Sequence, residues 1–133
     1  MAHLIFVSAW GGVVLGETVL ELAPGGEDAE RMIARVHFWI DMLVELPLIV
    51  AVVGTGAALA ARVWPPSPLL WAKLAAGLVA AAANLYCVGA VVLRTRAPDA
   101  QSRRRWTQRV RLSALAIPFA AAAAGLGLAY FRR

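Results

Sequence analysis

The sequence predicts an all-α membrane protein, with four transmembrane helices in an antiparallel up-down bundle. Three observations predict it. Hydrophobic residues make up 61% of the 133 residues and charged residues 16%, against roughly 45–50% and about 25% in soluble domains. The apolar residues fall in four long blocks without strand-like alternation. Helices are therefore expected rather than a membrane barrel, the only other structure that satisfies its backbone in lipid. The connections are short, which makes neighbouring helices antiparallel. Disorder is excluded by the high hydrophobicity, and a disulfide scaffold by the single cysteine, Cys87.

A span needs about 20 apolar residues. The first runs from about Leu4 to Leu22, the second from Val36 to Ala61, the third from Leu69 to Leu93 and the fourth from Leu112 to Phe131. The whole chain, 1–133, reads as one domain. The first break, Ala23 to Asp28, and the second, Trp64 to Pro68, are rich in Pro and Gly. The third, Thr95 to Trp106, is a polar connection. The first block is expected to stay as a span. It lacks a basic leader and a small-residue cleavage site, and it carries Glu17 and Glu21. Pro47 and Pro118 should kink their helices or free carbonyls.

Arginines set the orientation. The third connection and its flanks hold Arg94, Arg96, Arg103, Arg104, Arg105, Arg109 and Arg111, and Arg31 and Arg35 fall on the same side. Arg62, Arg132 and Arg133 fall on the other. The richer side is expected to be cytoplasmic, in an inner (plasma) membrane, with both termini outside. The net charge of +5 therefore meets lipid head groups, and nucleic acid is excluded as a partner.

Ionisable residues inside spans cost about 2.5–3.5 kcal/mol each and mark function by default. Here they are patterned. Glu17 and Glu21 share one helix face, and His37, Asp41 and Glu45 make a stripe at the same i,i+4 interval. In an antiparallel hairpin Glu21 comes level with His37, and Glu17 with Asp41. Gly12 and Gly16 form a small-xxx-small pair suited to close helix approach. Like charges in low dielectric must be neutralised. Glu17, Glu21, His37, Asp41 and Glu45 suit a divalent metal such as iron, manganese or zinc. Protons, relayed or bound, would serve as well, as would Arg31 or Arg35 reaching in. An interfacial, water-exposed placement of Glu21 and His37 is the structural alternative. In the metal case Glu45 and Asn84 would orient the ligands. His3 and His37 start successive antiparallel helices, so one haem cannot use both within a chain. A single-histidine haem, or one shared between chains, stays open.

Smaller features are read structurally. Lys73 snorkels outward or partners Asn84. Trp39, Trp64, Trp71 and Trp106 anchor at the interfaces, while Trp10 lies deeper. Cys87 is a small buried hydrophobe.

The segment His3-Leu4-Ile5-Phe6-Val7-Ser8-Ala9-Trp10-Gly11-Gly12 resembles the first-helix signature of the CopD-like membrane proteins and the HemJ-type protoporphyrinogen oxidases. Trp71-Ala72-Lys73-Leu74 and Gly54-Thr55-Gly56 are similar to their third helix and the end of their second. The resemblance implies a four-helix membrane unit tied to haem synthesis, haem binding or copper handling, with His3, Trp10 and Lys73 as cofactor-binding residues.

The expected function is metal- or haem-linked redox chemistry or metal handling, and no reaction is assigned. The alternatives are a non-catalytic accessory subunit of a larger membrane complex and a proton-coupled carrier working as an oligomer. The expected partners are the bilayer and either further copies of the chain or such a complex.

Overall fold

All four blocks are helical in the computed structural model, which describes residues 1–131 and, at Ala116 and residues 128–131, the backbone alone. Helix α1 spans Ala2–Leu22. Helix α2, Glu27–Ile40, runs through a π-helical segment, Asp41–Glu45, into α3, Leu46–Arg62. Helix α4 spans Pro68–Thr95. Helix α5, Ala100–Ser113, continues through a 3₁₀ segment, Ala114–Ala116, into α6, Ile117–Phe131. Four helices are long and apolar enough to cross a membrane: Ala2–Leu22, Glu27–Arg62, Pro68–Thr95 and Ala100–Gly127. No strand occurs among the described residues.

Two helices start earlier than their apolar blocks. Helix α2 begins at Glu27, not Val36, and carries Glu27, Asp28 and Glu30 in its first turn, where the helix dipole favours acids. The polar stretch expected as the third connection is helical from Ala100. Asp99 caps it, its Oδ1 accepting from the Ser102 backbone N–H at 2.8 Å. Ser67 caps α4 by accepting from Leu70 N–H at 3.3 Å, one residue before Pro68 at the helix start, where proline loses no bond. Arg132 and Arg133 lie outside the described residues.

Both interior prolines follow a non-α segment. Pro47 has no N–H and crowds the carbonyl four residues back. The π segment accommodates this: Leu46 N–H reaches Asp41 O, five residues earlier. The 3₁₀ segment stands in the same relation to Pro118.

Helix α1 packs along α3 as one antiparallel hairpin, and α4 packs along α5 and α6 as a second. The hairpins meet chiefly through α2 and α4. One small apolar cluster, Trp10, Ile49, Ala80 and Ala81, holds the middle of the bundle. Another, Cys87, Ala90, Val91 and Val110, holds the arginine-rich end. Leu15, Val19, Val50 and Leu78 are exposed, as lipid-facing residues of a small bundle would be. Gly12 and Gly16 do not serve the close approach expected of them. A Cβ on either would meet nothing within 4 Å, because both face outward, on the side of α1 away from Glu17 and Trp10. The close approaches occur instead at Gly56, against the His3 ring, and at Gly127, against the Lys73 side chain.

Candidate metal centre

Glu17 and Glu21 project from the last turns of α1, His37 from the end of α2, Asp41 and Glu45 from the π segment, and Arg94 from the end of α4. All six are buried, and Asp41 at 0% and Glu45 at 1% exposure are among the most enclosed side chains of the described residues. Successive i,i+4 steps on a 3.6-residue helix drift by about 40° each. The wider π turn offsets the second step, so His37, Asp41 and Glu45 stay on one face. Pro47, which the π segment accommodates, therefore helps to aim the stripe.

The polar contacts fall into two layers. In the outer layer Arg94 grips Glu21 with both nitrogens, Nη1 to Oε2 at 2.8 Å and Nη2 to Oε1 at 2.7 Å, the bidentate fork that arginine makes best. Glu21 Oε1 also accepts from His37 Nδ1 at 2.6 Å. A carboxylate can only accept, so Nδ1 carries the proton and the ring is fixed in orientation. The other ring nitrogen, Nε2, points inward. It lies 3.8 Å from Glu17 Oε2 and 3.6 Å from Asp41 Oδ1, both too long for a hydrogen bond.

The inner layer is rich in polar atoms without partners. His37 Nε2, Glu17 Oε1, both oxygens of Asp41 and both of Glu45 are buried with no hydrogen bond to a standard donor. The Glu17 and Glu45 carboxyls lie close enough to that of Asp41 to act on it electrostatically, and like charges so placed call for a proton or a cation among them. Buried polar groups are otherwise almost always satisfied. One ligand atom each from Glu17, His37 and Asp41 lies within 4.8 Å of the others, so these three residues can hold a metal ion.

The sequence-derived residues thus separate into two sets. Glu17, Glu21, His37, Asp41 and Glu45 come together. His3, Trp10 and Lys73 do not join them. His3 lies at the far end of α1, where its Nδ1 meets Thr55 Oγ1 at 2.9 Å. Trp10 is in the mid-bundle apolar cluster with its indole N–H unpaired. Lys73 is near the start of α4, against Gly127. Asn84 Nδ2 is buried without a hydrogen bond among the described residues.

The arginine partner is also not the expected one. Arg31 bonds the exposed Glu27 at 2.6 Å, and Arg35 has no ion pair or hydrogen bond. Arg94 enters instead. It continues the line of Cys87 and Val91 at helical spacing, and the structure buries both of those. No family model matches the chain, and comparisons with curated proteins and with solved structures return no match.

Proposed function

We propose that this chain is a small membrane protein that binds a divalent transition-metal ion within the cytoplasmic half of the bilayer. Glu17, His37 and Asp41 are the ligands, Glu45 is a neighbouring carboxylate, and Glu21 and Arg94 orient the imidazole. One observation carries the reading. His37 Nε2 faces two carboxylate oxygens at 3.6 and 3.8 Å with no donor between them. Ligands bound at about 2.0–2.2 Å to one tetrahedral ion stand about 3.4 Å apart. The separations therefore suit ligands slightly opened around an ion. Glu21 on Nδ1 is the carboxylate–histidine arrangement that raises the basicity of a metal-bound imidazole. Charge agrees: four carboxylates face one guanidinium, and a divalent ion with one shared proton cancels the excess. A nitrogen–oxygen ligand set of this kind favours iron, manganese or zinc, and metal handling is the corresponding role.

Metal analysis of the detergent-purified full chain tests this. Stoichiometric metal is expected, lost in His37→Ala and kept in His3→Ala. A metal-free protein, or metal retained by His37→Ala, overturns the reading.

A second reading is favoured by the crowding of buried, unpartnered oxygens of Glu17, Asp41 and Glu45: these carboxyls hold protons, and the cluster binds or relays H⁺. Asp41→Asn separates the two. The amide mimics a neutral acid and should be tolerated if protons fill the site, whereas it should weaken a metal.

A further inference from the structure

A cavity of about 500 Å³ opens beside the cluster, between α2, α4 and α5. Arg31 and Arg35 line it from α2, Arg94 from α4 and Arg103 from α5, and no carboxylate lines it. Its size falls in the range of small-molecule sites. At the rim Glu27 bridges Arg31 at 2.6 Å and Arg103 at 3.6 Å, tying α2 to α5. Arg94 is committed to Glu21 but keeps a buried Nε–H without a partner. Arg35 has no ion pair or hydrogen bond among the described residues. The cavity thus concentrates positive charge that the protein itself leaves partly unmatched.

Its remaining wall is aromatic. Phe38 and Trp39 line it, ring on edge at 5.4 Å. Arg31, Arg35 and Trp39 follow each other at i,i+4, so they form one line along α2. Trp39 is 54% exposed, on a flank that meets lipid if the helices cross a membrane.

We propose that this cavity binds the phosphate group of an anionic glycerophospholipid. Arg35 and Arg103 grip the phosphate, and the acyl chains leave past Trp39. Guanidinium suits phosphate because its planar fork donates two hydrogen bonds at once. The aromatic wall favours an amphiphile over a free ion, since inorganic phosphate would leave Phe38 and Trp39 without a role.

Native mass spectrometry of the full chain, released from micelles doped with phosphatidylglycerol or with phosphatidylcholine, tests the proposal. Phosphatidylglycerol should be retained and phosphatidylcholine lost. Arg35→Gln and Arg103→Gln should each lower retention by about tenfold, the loss of a charge-assisted hydrogen bond. Arg105→Gln makes the same charge change outside the cavity and should leave retention unaltered. Unchanged circular dichroism keeps a misfolded variant from being read as a binding defect, and Arg35→Lys should retain part of the affinity. Equal losses in Arg105→Gln and Arg35→Gln would mean diffuse attraction and overturn the site. Displacement of phosphatidylglycerol by sodium phosphate at millimolar concentration would overturn the lipid as its ligand, because the phosphate group alone would then suffice.

Discussion

His37 and His3 stand about 27 Å apart along α1, counted from residue 3 to Glu21 at 1.5 Å per residue, and their surroundings differ. His37 is 2% exposed. Its Nδ1 is held by a carboxylate that a buried arginine grips in turn, and its Nε2 faces two more carboxylates. His3 is half-buried and meets one neutral hydroxyl. That hydroxyl already donates to Ala51 O at 2.6 Å, so it accepts from His3. One ring is embedded in charge, and the other makes a single neutral hydrogen bond. The difference comes from what each helix end supplies. The end with Glu17, Glu21, Asp41, Glu45 and Arg94 gathers side chains of both signs from three of the long helices, whereas the His3 end offers Thr55 and, among charged groups acting on His3, only cations, Lys73 and the N-terminal amine.

Arg94→Met should break this contrast most severely. It leaves Glu21 buried without its counter-charge, a change that typically costs about 3–5 kcal/mol. Denaturant or thermal unfolding in detergent would read it. A variant as stable as the parent would show that water reaches Glu21. Glu21→Gln comes next. It keeps the shape and one acceptor for Arg94 but removes the charge behind His37, so metal affinity should fall by about 10–100-fold, with a loss of stability because Arg94 stays buried without its counter-charge. An unchanged affinity would remove Glu21 from the metal reading. Pro47→Ala restores an amide N–H and lets α2 and α3 join as regular helix. Glu45 would then turn off the shared face, and metal affinity should drop by about tenfold, within the range for groups that support a ligand. Isothermal titration of the metal would measure both.

At the quiet end Thr55→Val should cost only about 1 kcal/mol, one neutral hydrogen bond, and leave metal content untouched. The smallest effect is expected outside the spans. The backbone N–H and hydroxyl of Ser102 hold the Asp99 carboxyl below its ordinary pKa. The folded value is depressed, so this cap contributes fully above the unfolded pKa of about 3.9. It is lost as pH falls through the folded value. Amide exchange at the start of α5 should speed up only in that acid range. Asp99→Asn should keep the cap and abolish the pH dependence.

The contrast also explains what the sequence could reveal. Glu17, Glu21, His37, Asp41 and Glu45 were legible because their spacing matches the helical period, and because a short turn fixes the register of one hairpin. That reasoning uses local geometry only. Arg94 was not legible in the same way. It follows an apolar block, where arginines usually reach for head groups, and only the packing of α4 against the first hairpin decides that it turns inward. Gly12 and Gly16 fail for the converse reason. Their spacing is that of a contact motif, but Glu17 and Trp10 define the buried face of α1, and these glycines lie off it. The start of α5 carried no hydrophobic signal, though Asp99 three residues before Ser102 is a capping pattern that marks it.

Arg94 has one more consequence, for the order in which the bundle is made. It is the only buried cation of the described residues, and it alone among the cluster residues belongs to the second hairpin. Until α4 is made, the four acids of the first hairpin lack that counter-charge. Burying them in an apolar surrounding before then costs several kcal/mol for each unpaired charge. The ion pair between Glu21 and Arg94 can therefore close only once three of the four long helices have been made.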